Sequence, residues 1–233
     1  MKGLDISHWQ GNINWDKISS KIDFVIIKAT QGSYFVDNKL ARNVSGARKA
    51  GKLVGFYHFA DGGNAKKEAQ HFYKYAKPQK GELIVLDWEI QHRKTVEWCL
   101  EFLQEAEKLF GFKPLIYLNQ ATLLRYNWNP VVKNDNGLWI AKYGWNTGRQ
   151  GKRPHSFDWN FWAIWQYTSR GFVKGIKGFV DMNYTDMDID TLKKYGKVEE
   201  KCTPEEIKRY EAKVKKYKAK YNKYKNKLEQ CKS

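Results

Sequence analysis

No stretch of the 233-residue chain approaches the roughly 20 consecutive apolar residues that a membrane-spanning helix needs. Asp5, Asp16 and Asp23 lie where the apolar heart of a secretory leader would have to be, which predicts a protein that starts in a cytoplasm. Cysteine is scarce: Cys99, Cys202 and Cys231 are too few for a disulfide scaffold and too scattered for a zinc site. Cys99 falls within a helical pattern and reads as a buried, inert thiol. The five histidines form no H-E-x-x-H and no close pair. Asp186, Asp188 and Asp190 alternate as in a calcium loop, but no glycine follows and no glutamate closes it, so a solvated turn is expected. No phosphate-loop or dinucleotide glycine pattern occurs, and no metal or cofactor is expected. Acidic residues are in deficit, 25 against 42 Lys and Arg, giving a formal charge of +17. Such a balance calls for an anionic partner, and nucleic acid, an anionic membrane and a bacterial wall polymer all qualify.

Aromatic residues, in contrast, are abundant: Trp 10, Tyr 14 and Phe 12. Flat side chains beyond core needs usually line a binding surface, and sugar rings suit Trp and Tyr faces. Short apolar runs recur between turn signals: 3–7, 23–30, 53–59, 83–89, 114–119, 138–143, 162–168 and 179–183. They read as mostly buried strands. Between the early ones fit helices over 38–50, 64–76 and 95–110. In the last, Val96, Cys99, Leu100, Leu103, Ala106 and Phe110 share one stripe before the stop signal Gly111. Alternating strands and helices predict parallel pairing and an α/β barrel, irregular at its end because the last three strands are joined by segments with little helical pattern.

In such a barrel, active residues come from the carboxyl ends of the strands. Asp87 and Glu89 follow the run Leu83–Leu86, and their spacing of two puts both on one strand face. Crowded carboxylates raise at least one pKa and keep a proton available near neutral pH, as protonation of a glycosidic oxygen requires. Asp5 and Asp181, on two other strands, converge on the same mouth. Tyr57, Trp139, Tyr143, Gln166 and Tyr167 are candidates for sugar contact, with core packing the competing role for each aromatic. His8 and His58 also lie at strand ends, where a satisfied structural histidine is the favoured reading.

Asp5-Ile6-Ser7 with Trp9-Gln10-Gly11, Gly55-Phe56-Tyr57-His58-Phe59, Leu86-Asp87-Trp88-Glu89, Trp139-Ile140-Ala141-Lys142-Tyr143, Trp165-Gln166-Tyr167 and Val180-Asp181-Met182-Asn183 together resemble lysozymes of glycoside hydrolase family 25. The resemblance spans about residues 1–195 and implies an irregular (β/α)5(β)3 barrel, a TIM-like barrel, with N-acetylmuramidase activity on peptidoglycan. It implies Glu89 as general acid/base, with Asp87, Asp181 and Asp5 around the reacting sugar. It also suggests retention at the anomeric carbon. The sugar's own acetamido oxygen is the favoured nucleophile, and a direct carboxylate nucleophile stays open.

Residues 1–198 form the expected catalytic domain. From 200 to 233 the chain changes, with 12 basic and five acidic residues. Thr203-Pro204-Glu205-Glu206 is a helix start. Ile207, Tyr210, Val214, Tyr217, Tyr221, Tyr224, Leu228 and Cys231 then repeat at heptad spacing. Residues 199–233 are thus an appended amphipathic helix, expected to serve wall attachment or weak homo-oligomerisation through 204–231, with anionic wall polymers as partners. Mostly like-charged flanking lysines oppose a tight coiled coil, and docking of the tyrosine stripe onto the barrel is the competing reading. A nucleic-acid-binding protein would leave the strand-end acids unexplained, and a non-catalytic sugar-binding module would not need all four. The expected route is that of a phage endolysin, from the host bacterial cytoplasm to the cell wall once a separate lesion opens the membrane.

Overall fold

The computed structural model describes residues 1–89, 95–197 and 204–230, and the chain divides into two compact units, Met1–Val198 and Glu199–Ser233. The described residues of the first unit hold nine strands: β1 (Lys2–Ile6), β2 (Phe24–Gln31), β3 (Phe35–Val36), β4 (Leu53–Phe59), β5 (Leu83–Asp87), β6 (Leu115–Asn119), β7 (Leu138–Ala141), β8 (Ile164–Gly171) and β9 (Val180–Tyr184). All but β3 form one closed barrel, in the order β1-β9-β8-β7-β6-β5-β4-β2 with β2 pairing back onto β1. Strand β3 is a short antiparallel addition to the edge of β2.

Helices α1 (Leu40–Lys49), α2 (Ala65–Tyr75) and α3 (Val96–Phe110) follow β3, β4 and β5, and two short helices, α4 (Gln120–Arg125) and α5 (Asn129–Lys133), follow β6. Each main helix buries one stripe, as α3 does with Val96, Cys99, Phe102, Leu103 and Ala106. It stops at Gly111, whose φ of 81° is the left-handed conformation that glycine adopts without strain. No α-helix joins β7 to β8 or β8 to β9, so the barrel is irregular where the helical pattern fades. Strand β8 runs parallel to β7, and of the barrel strands only β9 reverses, antiparallel to both β8 and β1.

Alternation along each strand sorts the side chains into two layers. Phe24, Ile26, Leu53, Leu83, Val85, Leu115, Tyr117, Trp139, Ala141 and Ile164 fill the barrel interior. Their neighbours in sequence, such as Val25, Ile27, Val54, Ile84, Leu86, Ile116 and Ile140, pack with the apolar residues of the surrounding helices. Gly3 belongs to the inner wall because any Cβ there would overlap the Phe24 ring. The floor is therefore solid, and the chemistry is confined to the end where the polar residues begin.

In the second unit, helix α6 (Pro204–Gln230) exposes Tyr210, Val214, Tyr217, Tyr221 and Tyr224. Arg209 and Lys213 lie over the Tyr210 ring at 5.5 and 5.6 Å, and Lys220 over Tyr224 at 5.9 Å. Cys202, Thr203 and Cys231, and the side chains of Ile207 and Leu228, lie outside the described residues. Among the described residues no helix is long and apolar enough to cross a membrane.

Candidate active site

Asp87 closes β5 and is buried, while Glu89 lies two residues on, past the strand end and open to solvent at the mouth. Between them Trp88 is driven into the outer layer, edge-on to Trp128 at 5.6 Å and to Tyr126 at 5.7 Å between ring centres. That plug forces both neighbouring carboxyls to the opposite, inner side. They meet there, close enough for each carboxyl to act on the other's proton affinity. Asp87 Oδ1 is buried without a hydrogen-bond partner.

Asp5 is the inward residue of β1, level with Ile26 on β2 and directly opposite Asp181 on β9. Because β9 runs backwards, its first residues and not its last reach the mouth. Asp181 is half-buried there, and Asn183 lies one layer deeper, level with Gly3. Asp5 Oδ2 accepts hydrogen bonds from Gln166 Nε2 and Asn183 Nδ2, both at 2.8 Å. Gln166 Oε1 in turn accepts the hydroxyls of Tyr117 at 2.9 Å and Tyr143 at 2.6 Å, while Asn183 Oδ1 accepts Trp139 Nε1 at 2.8 Å. One network thus ties five strands to a single carboxylate.

All four carboxyls hold protons more tightly than usual. Burial pushes Asp5 well up, helped by Asp181; burial does the same for Asp87, helped by Glu89 and Asp5. Glu89 is also raised, because the walls of the mouth remove much of its water, although the Asp87 carboxyl and the charge of Lys28 work against the rise. Burial and the neighbouring Glu89 push Asp181 up to about 6. The site can therefore hold carboxylic acid and carboxylate side by side near neutral pH, as acid-assisted cleavage of an acetal requires.

The sequence-derived sugar contacts separate into two groups. Tyr57 and Tyr143 reach the carboxyls: burial raises both hydroxyl pKa values, with Asp87, Asp5 and Asp181 adding to the rise at Tyr57 and Asp181 and Asp5 at Tyr143. Gln166 joins them through Asp5. Trp139 is buried beneath, edge-on to Tyr117 at 4.7 Å, so it supports the site from the barrel interior. Tyr167 is not brought to the mouth. It follows the inward Gln166, so alternation turns it outward, where it is buried against Trp165.

His58 and His8 are structural, as favoured. His58 is fully buried between Thr30 Oγ1 at 2.8 Å and Glu68 Oε2 at 3.0 Å. His8 binds Asp37 through its backbone N–H and Nδ1. Sequence reasoning missed Tyr117 and Lys28 as site residues and saw Asn183 only as a polar residue at a strand end. The signal for each was its parity: counting by twos along its own strand, from Leu115 to Tyr117, from Asp181 to Asn183 and from Ile26 to Lys28, puts all three on the inner wall. It also passed over the rim, where Trp9, Tyr34 and Trp145 stand exposed on the loops after β1, β2 and β7, Trp145 at 96%.

Among the described residues no cluster of His, Cys, Asp and Glu could hold a metal ion. A closed barrel whose carboxyl-end mouth gathers four carboxyls and a rim of exposed aromatics defines a glycoside hydrolase. The chain belongs to glycosyl hydrolase family 25, whose model matches residues 4–176. That match ends before Asp181, which reaches the site through its pairing with Asp5. A curated relative, lysozyme M1 of Streptomyces globisporus, is 30% identical over 204 residues, covering 78% of this chain and 67% of its own. The muramidase of Trichobolus zukalii superposes with a TM-score of 0.71 at 26% identity, over 84% of this chain and 99% of that one. The catalytic domain of an endolysin from a bacteriophage of Listeria monocytogenes gives 0.66 at 27%, over 83% and 97%.

Proposed function

We propose that the enzyme hydrolyses the β-1,4 bond from N-acetylmuramic acid to N-acetylglucosamine in peptidoglycan, with Glu89 as general acid/base. The observation that carries this reading is the pairing of a solvent-open, proton-retaining Glu89 with a buried Asp87 in a mouth that also holds Asp5 and Asp181. Glu89 gives its proton to the glycosidic oxygen as the bond from C1 breaks. The positive charge that develops at C1 and the ring oxygen is stabilised by the fixed carboxylates around it. The acetamido oxygen of the same sugar closes on C1, with Asp87 or Asp181 orienting and polarising the amide. Water then opens that ring from the other face and returns a proton to Glu89, so configuration is retained. Exposed Trp9, Tyr34 and Trp145 suit stacking against the neighbouring sugars of a long chain.

Residues 199–233 serve attachment to the wall. A helix with exposed tyrosines and lysines on a protein of charge +17 suits anionic wall polymers, and its heptad stripe suits weak self-association. The route is that of a phage endolysin, held in the host bacterial cytoplasm until a membrane lesion opens the way to the wall.

Digestion of purified peptidoglycan, followed by mass analysis of the released ends, tests the bond. New reducing N-acetylmuramic acid ends are expected; reducing N-acetylglucosamine ends would assign a glucosaminidase instead. Glu89→Gln keeps the shape and cannot donate the proton, so turnover should fall about 10²–10⁴-fold with the fold intact. A folded variant with near wild-type turnover would remove Glu89 from the role.

A further inference from the structure

Lys28 is a buried cation in a barrel interior whose other charged groups are acidic. It lies on β2 two residues beyond Ile26, level with Tyr57 on β4, and is buried. A buried ammonium is costly unless it is held by partners. Lys28 Nζ donates to Gln31 Oε1 at 2.8 Å, lies over the Phe59 ring at 4.7 Å and faces Phe35 at 5.6 Å. Phe59 is in turn the β4 residue level with Asp87 on β5. The side chain therefore crosses from β2 toward the strand that carries the two central carboxyls.

We propose that Lys28 is a positioning residue of the active site, whose ammonium is anchored by Gln31 and Phe59 and supplies the positive charge against which Asp87 and Glu89 are held. The proposal rests on the reading of these two carboxyls as the reacting pair. Acidic groups dominate the surroundings: Asp87 and Glu89 from the end of β5, and Asp37 from the loop after β3. His58 on β4 also feels the ammonium, and its own hydrogen bonds hold it in place. Burial lowers the Lys28 pKa, and Asp87, Asp37 and Glu89 pull it back up. In return Lys28 opposes the upward push on both Asp87 and Glu89. Charges in a partly dry site act on one another far more strongly than in water. The positive charge thus favours an ionised carboxylate in a pair that burial and mutual repulsion would otherwise hold protonated.

The test compares Lys28→Met and Lys28→Arg with the wild type. Methionine fills the same apolar channel without the charge, so the variant should fold at least as stably, because a buried charge is replaced by packing. Arginine keeps the charge and alters its shape. Two readouts are taken: the pH profile of kcat and of kcat/KM on peptidoglycan, and NMR titration of ¹³C-labelled Asp and Glu carboxyls. In Lys28→Met the acid limb of the profile should rise by about one pH unit, because Asp87 keeps its proton longer. Its kcat should fall about tenfold or more with KM little changed, and the carboxyl titrations should move up with it. Lys28→Arg should keep the limb and the titrations within about 0.3 pH unit of wild type. Unmoved carboxyl titrations in Lys28→Met overturn the proposal, as does an equal loss of kcat in both variants without a shift. Should the methionine variant not fold, the proposal then stands or falls on Lys28→Gln read the same way. The NMR titration needs no turnover, so a failure of Lys28 is distinguishable from a failure of Glu89 as the acid.

Discussion

Asp5 and Asp181 face each other directly across the antiparallel β1–β9 ladder, two carboxyls at one level of the barrel wall. Like charges so placed repel, and the pair persists because one member can stay protonated. The Asp181 pKa of about 6 lies above the ordinary aspartate value near 3.9, so its favourable contribution is complete below about pH 4 and is lost as pH rises through about 6. Asp181→Asn should therefore raise stability at pH 7, by about 1–3 kcal/mol, with the gain fading toward pH 4. Turnover should fall in the same variant. Thermal denaturation at the two pH values checks it, and a variant less stable at pH 7 would contradict the assignment.

Gln166 is the hub that passes two tyrosine hydroxyls and one aspartate into a single network. Gln166→Leu would leave Asp5 with one donor and strand the buried Tyr117 hydroxyl. The expected cost is about 1–3 kcal/mol in stability, together with reduced turnover. Tyr117→Phe removes one bond and should cost about 0.5–1.5 kcal/mol. Denaturant titration of both variants orders them, and a costlier Tyr117→Phe would show that Gln166 is not the hub.

Glu68 accepts His58 Nε2 and Asp61 N through Oε2, both at 3.0 Å, and Gly63 N through Oε1 at 2.6 Å. These bonds outweigh its burial and hold its pKa below the ordinary glutamate value. A depressed carboxylate stabilises above its unfolded pKa and loses that contribution as pH falls through the folded one. Glu68→Gln would point an amide donor at N–H groups that themselves donate. It should cost about 1–3 kcal/mol at pH 7, with the deficit shrinking as the solution is made acidic. A deficit that does not change with pH would assign the loss to packing alone.

Removal of everything after residue 198 should leave cleavage of soluble glycan fragments intact and weaken binding to whole walls, most visibly at low salt. Equal wall binding by the two forms would end the attachment role. A salt-independent monomer in sedimentation of the full chain would end the self-association one.

The strands were legible because a buried barrel strand announces itself as a short apolar run: the run 53–59 coincides with β4, and the remaining barrel strands differ by at most three residues at an end. The short β3, α4 and α5 escaped because so few residues carry no periodicity. Asp5, Asp87 and Asp181 were visible as acids embedded in apolar runs, where charge has no structural excuse. Tyr167 misled because an aromatic beside an inward Gln166 looks like a site residue until strand parity sends it to the outer layer. Lys28 hid for the opposite reason: on a chain with 42 basic residues, one more lysine has no contrast, and its burial emerges only from the closure of β2 against β4.

The barrel closes between its first strand and its last, where the Met1 ammonium also meets the Thr185 carbonyl at 2.6 Å. Pairing of such distant segments comes late in folding, because the whole intervening chain must first be gathered. Strand β9 brings Asp181 and the Asn183 that steadies Asp5, so the barrel up to β8 holds only part of the site. The catalytic mouth is therefore whole only once the last barrel strand has paired with the first.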